Sequence, residues 1–127
     1  MIYIDNSATT KQYPQVTETM MKYMEEYFGN PSSMYQLGLD SEKAVKHARK
    51  QVEEAMGAGN GTLIFTSGGT EADNTAIFGA ARALRRRGHR IITSAVEHPA
   101  VLECCKRLEQ DGYDVVYVGV DDKCRLD

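Results

Sequence analysis

Two short segments carry residue types that can hold and act on a small ligand. The first, residues 67–70, joins two glycines with two hydroxyl residues between the apolar run 63–65 and a helical pattern. Because the first turn of a helix presents free backbone N–H groups and a positive dipole end, such a bend suits a phosphate. The glycines allow close approach of the main chain, and Ser67 and Thr70 add hydroxyl donors. The alternative is an ordinary turn in which Ser67 is the N-cap and nothing binds.

The second segment holds His98, directly before Pro99. Proline favours the first helical position, so His98 is expected at a helix N-terminus. Imidazole titrates near neutral pH, and its flat ring can stack on an aromatic ligand or exchange protons with a substrate. A surface loop histidine is the alternative for this residue taken alone. His47, on a charged helix face, and His89, in a polar turn, are expected to be solvated.

Regular alternation in the C-terminal half defines the elements that must position these segments. It predicts strands at 62–66, 90–94 and 114–118, separated by helices at 70–86 and 99–111. Strands joined by helices of this length form βαβ units of a parallel sheet with right-handed crossovers. The predicted fold class is therefore α/β. Ligands of such sheets bind at the carboxyl ends of the strands, so both segments are expected to face one crevice.

The N-terminal half predicts two amphipathic helices. Apolar residues recur at helical spacing between residues 16 and 28, and Pro14 lies near the start of this pattern. A second helix is expected to begin at about Ser41, as its N-cap, and to end at Gly57. The intervening stretch 29–33 is dense in turn-forming residues.

Composition narrows the function classes. The chain has 127 residues, a formal net charge of −3 and 26% charged residues, which indicates one mildly acidic globular unit and does not favour nucleic acid. No apolar stretch reaches the roughly 18 residues of a membrane span, and the beginning of the chain lacks the regions of a signal peptide. These features predict a cytoplasmic protein. The arginine run 85–87 is interpreted as a solvated helix end.

The three cysteines predict neither a disulfide framework nor a metal site. Cys104, Cys105 and Cys124 form no C-x-x-C pair, and adjacent cysteines on a helix point in different directions. Cys105 falls on the apolar stripe of its helix and is expected to be buried, whereas Cys104 is expected to be more exposed. The lysines lie on polar helix faces or at termini and are expected to be solvated.

Four segments in register resemble a known family. They are YIDNSATT at 3–10, GNPSS at 29–33, FTSGGTEADN at 65–74 and EHPAV at 97–101. In this order and at these intervals they resemble the N-terminal part of the pyridoxal-phosphate-dependent cysteine desulfurases, which are class V aminotransferase-like enzymes of fold type I. The resemblance covers essentially the whole chain and predicts an N-terminal fragment of such an enzyme.

The resemblance implies a cofactor site and an activity. Gly69 and Thr70 would contact the phosphate of pyridoxal 5'-phosphate, and His98 would stack over its pyridine ring and move protons there. The complete enzyme, usually a homodimer, would take sulfur from L-cysteine and leave L-alanine and an enzyme persulfide. Acceptor proteins such as an iron–sulfur scaffold would receive the sulfur.

The resemblance also implies a division of the chain. Residues 1–60 would form the N-terminal segment and two helices of the small-domain or entrance part, and residues 61–127 the βαβαβ part of the cofactor-binding large domain. Within the first part, Asn6, Ala8 and Thr9 would border the substrate entrance.

Other residues that the family needs are expected beyond this sequence. The Schiff-base lysine of a Ser-x-His-Lys segment and the persulfide-forming cysteine do not occur in the 127 residues, so the chain alone is expected to be inactive. Two alternatives stay open. One is part of a selenocysteine lyase or another aminotransferase-like pyridoxal phosphate enzyme, and the other is a non-catalytic α/β module that binds a phosphorylated ligand or docks to another protein.

Overall fold

The computed structural model describes residues 2–126, which form four helices, two strands and connecting loops. In chain order the elements are α1 (Pro14–Glu25), α2 (Gln36–Ala55), α3 (Gly69–Leu84), β1 (Arg90–Ser94), α4 (Pro99–Gln110) and β2 (Asp114–Val118). They group into two compact units, Met1–Ile64 and Phe65–Asp127. The outer ends of the two predicted domain ranges, at positions 1 and 127, lie outside the described residues.

In the first unit, α1 begins where the sequence indicates. Pro14 occupies the first helical position, where its missing N–H costs nothing and its fixed φ favours the helix. The helix ends at Glu25, so the last apolar residues of the predicted stripe lie beyond it. Tyr23 and Tyr27 still contact each other, with ring centroids 5.7 Å apart.

The N-terminus of α2 differs from the prediction. The helix begins at Gln36, so Ser41 is not its N-cap but a buried residue inside it, and the Ser41 hydroxyl donates to the Leu37 carbonyl at 3.0 Å. The first turn of α2 packs closely on the preceding loop, since a Cβ atom at Gly38 would overlap the backbone of Ser33. The other end agrees with the sequence, since Gly57 follows α2 in the left-handed conformation (φ 63°).

The predicted strand at 62–66 is wrong for the described chain, where residues 61–66 form no regular element. The Leu63 N–H donates to the Glu53 carboxylate at 3.1 Å, and the Leu63 carbonyl accepts from Arg49 Nε at 3.0 Å. Side chains of α2 thus take backbone groups that a neighbouring strand would pair with. A strand exists through such pairing, so an apolar run alone does not create one.

The second unit is a βαβ unit with an additional helix, α3. Strands β1 and β2 are parallel, with Arg90 opposite Asp114 and Ser94 opposite Val118, and α4 connects them. Both strands have the predicted bounds, and α3 and α4 match the predicted helices within two residues. The α/β class of the prediction is therefore confirmed, with two paired strands in place of three.

The core of the second unit lies along α4. Its buried apolar residues are Ala100, Cys104, Cys105 and Leu108. The expectation that Cys104 is more exposed is wrong, because both cysteines are 2% exposed. Burial raises the pKa of both thiols. Helix α4 packs against both α3 and β2, and adjacent positions on it are therefore buried.

Two further structural findings bear on function. Among the helices of the described range, none has the length and apolar character needed to cross a membrane. Residues 2–126 also contain no cluster of three or more histidine, cysteine, aspartate or glutamate side chains arranged to bind a metal ion.

Candidate functional site

The chain path places the first residues of α3 and α4 at the same end of the second unit. Near the C-terminal ends of both helices, the Tyr113 hydroxyl donates to the Ala81 carbonyl of α3 at 3.0 Å, and the Asp114 N–H donates to the His89 carbonyl at 2.9 Å. These bonds place the C-terminal ends of the helices beside the beginnings of the strands. Since α3 and α4 pack against each other, their N-termini lie toward the carboxyl edge of the sheet.

The glycine-rich bend forms the start of α3. Gly68 is the N-cap, with extended backbone (φ 163°, ψ −179°) and no side-chain cap, so Ser67 is not the N-cap. Gly69 and Thr70 are the first helical residues, and helix geometry leaves their N–H groups without an intrahelical acceptor. A Cβ atom built on Gly68 or Gly69 would meet no atom within 4 Å. The main chain here is therefore open to a ligand.

Ser67 is committed to another partner. Its backbone N–H and its hydroxyl both donate to Glu71 Oε2, each at 2.7 Å. The hydrogen bond from the Ser67 backbone N–H, and then the one from its hydroxyl, lower the pKa of the Glu71 carboxyl. The expectation that Ser67 offers its hydroxyl to a ligand therefore fails in this state, and Thr70 remains the hydroxyl residue of the bend. No hydrogen bond within the described residues engages the Thr70 hydroxyl.

Glu71 is a residue that the sequence reasoning missed. It occupies the third position of α3, where an acidic side chain reaches back to the residues around the cap. A glutamate three residues after the N-cap is the local signal of such an interaction. The signal was masked here because the cap is glycine and the partner, Ser67, lies one residue further out.

His98 is the N-cap of α4, at the helix start expected from the sequence. Its Nδ1 accepts the backbone N–H of Ala100 at 3.1 Å, and the side chain is exposed. Because Nδ1 serves as an acceptor, the neutral ring carries its hydrogen on Nε2. The ring is thus anchored on one side, and Nε2 is the nitrogen left to interact with a ligand.

The predicted entrance residues lie in the first unit. Asn6, Ala8 and Thr9 are exposed, and residues 6–8 form a turn. The Asp5 carbonyl accepts the Ala8 N–H at 3.1 Å, and the Asp5 carboxylate accepts the Ser7 hydroxyl at 3.1 Å. The turn is therefore built on Asp5. The structure thus brings Gly69, Thr70 and His98 to one edge of the second unit. The turn with the predicted entrance residues belongs to the first unit.

An apolar groove between α3 and β1 is a different feature. Its lining includes Ile77, Leu84, Ile91 and Tyr113 and none of the predicted site residues. Arg90 also lines the groove, and its guanidinium is paired with the Asp114 carboxylate at 2.6 Å. The groove thus offers apolar surface and no donor set suited to a phosphate, so the candidate site remains the edge with the two helix starts.

Comparison with known proteins decides the family. The Aminotransferase class-V family model matches residues 2–127. The chain belongs to this family. The four motifs in register, each weak alone, therefore predicted the class V aminotransferase-like family correctly. Members of this class V family use pyridoxal phosphate.

The curated relatives are named cysteine desulfurases. The chain is 52% identical over 120 residues to cysteine desulfurase IscS of Methanosarcina thermophila, which covers 94% of this chain and 30% of the relative. It is 50% identical over 127 residues to the cysteine desulfurase of Trichormus azollae, covering 100% of this chain and 32% of the relative. The class V chain thus spans about a third of the length of the curated relatives it matches.

Solved structures agree with the fold assignment. A NifS-like protein superposes with a TM-score of 0.83 at 35% identity, covering 94% of this chain and 33% of the other. The structure of SspA in complex with cysteine has a TM-score of 0.78 at 33% identity, covering 91% and 33%. A class V α/β fold for these residues is therefore shown by sequence and by structure.

The donor set at the carboxyl edge fits the class V cofactor. A phosphate dianion is bound well by helix N-terminal amides with a nearby hydroxyl group, which Gly69 and Thr70 supply. The open space beside Gly68 and Gly69 allows the close approach that such bonds require. An aromatic side chain suits one face of a flat, electron-poor ring, and the imidazole of His98 stands at the neighbouring helix start.

Proposed function

We propose that this chain supplies the phosphate-binding wall of the pyridoxal 5'-phosphate site of a cysteine desulfurase. Gly69 and Thr70 hold the cofactor phosphate, and His98 stacks on the pyridine ring. The observation that carries the proposal is the shared edge of the two helix starts, one with open amides and the other with an anchored imidazole.

Each of these residues has a defined task in the proposed site. The amides of Gly69 and Thr70 and the Thr70 hydroxyl bind the phosphate and so fix the position of the ring. When bound, the cofactor would supply the electron-withdrawing group that stabilises negative charge at the substrate's α carbon. His98 orients the ring and exchanges a proton at Nε2, because its Nδ1 is held by the Ala100 N–H.

The proposed reaction of the complete enzyme takes sulfur from L-cysteine and leaves L-alanine and an enzyme persulfide. Its sulfur goes to acceptor proteins, such as an iron–sulfur scaffold. The names of the curated relatives support this reaction, and one of the similar solved structures, SspA, is a complex with cysteine. A cytoplasmic homodimer completes the proposal. The free state of Cys104, Cys105 and Cys124 is typical of a reducing compartment.

The domain assignment belongs to the same proposal. Residues 1–60 contribute to the small domain and the substrate entrance, where Asn6, Ala8 and Thr9 lie on an exposed turn. Residues 61–127 contribute to the cofactor-binding large domain. A Ser-x-His-Lys segment does not occur in the 127 residues, so we expect that the purified chain by itself does not turn over cysteine.

The test is cofactor binding by the purified chain. Phosphorus NMR follows pyridoxal 5'-phosphate and inorganic phosphate, and equilibrium dialysis compares pyridoxal, which lacks the phosphate. We expect the two phosphate compounds to compete for one site and pyridoxal to bind far more weakly. Thr70→Val is expected to weaken the binding of both phosphate compounds. His98→Ala is expected to weaken only the binding of pyridoxal 5'-phosphate, which has a ring.

Two results would contradict the proposal. One is equal binding of pyridoxal and pyridoxal 5'-phosphate, which would remove the role of the phosphate loop. The other concerns activity: a borohydride-reducible adduct on one lysine of this chain, together with sulfide release from cysteine, would show that the chain alone is a complete enzyme.

A further inference from the structure

The contact between Glu71 and Ser67 has a geometry that goes beyond ordinary helix capping. One carboxylate oxygen, Oε2, accepts two hydrogen bonds of 2.7 Å from the same residue, one from its amide and one from its hydroxyl. Both partners are exposed, and Glu71 lies in the first turn of α3. The pair therefore ties the residue before the glycine bend to the helix that follows it. We call this contact the Ser67–Glu71 clamp.

The bend depends on such a clamp because little else fixes it. Gly68 and Gly69 have no side chains, and apart from the adjoining chain no atom lies within 4 Å of the positions where their Cβ atoms would be. The Gly68 carbonyl accepts the Thr66 hydroxyl at 3.1 Å and the Ala72 N–H at 3.1 Å. Paired glycines lose the most backbone entropy on ordering, so a loop without packing must be held by hydrogen bonds.

The clamp also determines which donors of the bend bind Glu71 and which stay available to a ligand anion. The carboxylate of Glu71 takes the amide and hydroxyl of Ser67, while the amides of Gly69 and Thr70 stay open. A carboxylate left unclamped at a helix N-terminus would compete for these same amides. The clamp holds the Glu71 carboxylate against Ser67, in the loop before the helix. The amides of Gly69 and Thr70 therefore remain available to a second anion.

We infer that Glu71 is a positioning residue for the proposed phosphate site: it acts through Ser67 to keep the Gly68–Thr70 bend assembled and its amides available. The inference rests on the proposed cofactor function. It makes a prediction opposite to that of charge alone. Removing a negative charge beside a phosphate site strengthens anion binding, whereas loss of a positioning contact weakens it.

Three variants of the full chain separate these effects. Glu71→Ala removes both the charge and the clamp. Glu71→Gln removes the charge but keeps a carbonyl oxygen that can accept from Ser67. Asp73→Asn is the matched control, because it removes one negative charge from the same helix without touching Ser67.

The first measurement is amide hydrogen exchange without ligand. In Glu71→Ala, the amide of Ser67 is expected to exchange on the order of tenfold faster, because its 2.7 Å bond is lost. Amides of β1 and β2 are expected to keep their protection, which shows that the variant folds. In Glu71→Gln and Asp73→Asn, exchange in the bend is expected to stay near that of the wild type.

The second measurement is a phosphorus NMR titration with pyridoxal 5'-phosphate. We expect Glu71→Ala to bind on the order of tenfold more weakly than the wild type, and Glu71→Gln to bind within about twofold of it. Unchanged or tighter binding by Glu71→Ala would overturn the positioning role while leaving the cofactor site in place. A wild-type chain that binds neither pyridoxal 5'-phosphate nor inorganic phosphate would instead refute the proposed function, and the inference with it.

Discussion

Gly69→Ala is expected to stabilise the fold and to weaken pyridoxal 5'-phosphate binding at the proposed site. Gly69 is the first residue of α3, and a Cβ atom there would meet no atom within 4 Å. Its backbone is not in the left-handed region, so alanine fits without strain. The glycine is therefore not required by the conformation of this chain. On the proposed function, it is required by a ligand that must approach the main chain.

The magnitude follows from the two states that the substitution affects. Replacing glycine by alanine at a compatible helical position stabilises a protein by about 0.4–1 kcal/mol, mainly through the entropy of the unfolded chain. For a chain of this size that corresponds to a rise in Tm of roughly 2–5 °C. The added methyl group occupies the space through which the phosphate would reach the Gly69 and Thr70 amides. Loss of one charge-assisted hydrogen bond weakens binding by roughly tenfold or more.

The assay pairs guanidinium unfolding with a phosphorus NMR titration of pyridoxal 5'-phosphate. Gly79→Ala is the matched control, because Gly79 lies inside α3 and also has no atom within 4 Å of a built Cβ. It is expected to stabilise by about 1 kcal/mol and to leave binding unchanged. If Gly69→Ala binds as tightly as the control, close approach at the helix start is not needed. If Gly69→Ala destabilises the chain, the space around Gly69 is not open as described.

Three further predictions concern the core, the clamp and the thiols. Leu108→Ala is expected to cost about 2–5 kcal/mol in guanidinium unfolding, since Leu108 is 2% exposed. The pKa of Glu71 in the folded state is lowered from 4.5 by the Ser67 amide, so the clamp stabilises above pH 4.5 and is lost as the pH falls through the lowered value. Exchange of the Ser67 amide, corrected for its intrinsic pH dependence, is expected to rise there, and equal protection on both sides would contradict the clamp. With a thiol reagent at pH 8, exposed Cys124 is expected to react promptly and the buried pair 104–105 slowly. The reason is that burial raises the pKa of both buried thiols. Prompt reaction of all three cysteines would contradict the burial of this face of α4.

The parts of the fold that sequence predicts best are those with strong local signals. Pro99 defines the start of α4, and the β-branched runs at 90–94 and 114–118 pair directly with each other. Pro14 marks α1 in the same way. In these elements, local propensity and tertiary contact favour the same structure, so the pattern predicts their bounds.

The wrong predictions share a different cause. Residues 61–66 have the composition of a strand, but Leu63 gives its backbone groups to side chains of α2. Ser41 is a residue type typical of an N-cap, but α2 begins at Gln36, and Ser41 lies buried inside the helix, whose first turn packs closely at Gly38. Cys104 is buried because α3 covers a second side of α4. Each outcome depends on which other element is adjacent, and no local pattern contains that information.

The candidate site and the core are held by different interactions. The core lies along α4 and consists of side chains that pack, with Leu108 the largest of them. At the site edge, local hydrogen bonds fix the exposed residues: Ser67 to Glu71, and His98 to Ala100. Core substitutions should therefore lower the free energy of unfolding and leave the two helix starts unchanged, since each of those bonds joins residues at most four positions apart. Substitutions at the edge should do the reverse, and this separation allows the cofactor proposal to be tested without unfolding the chain.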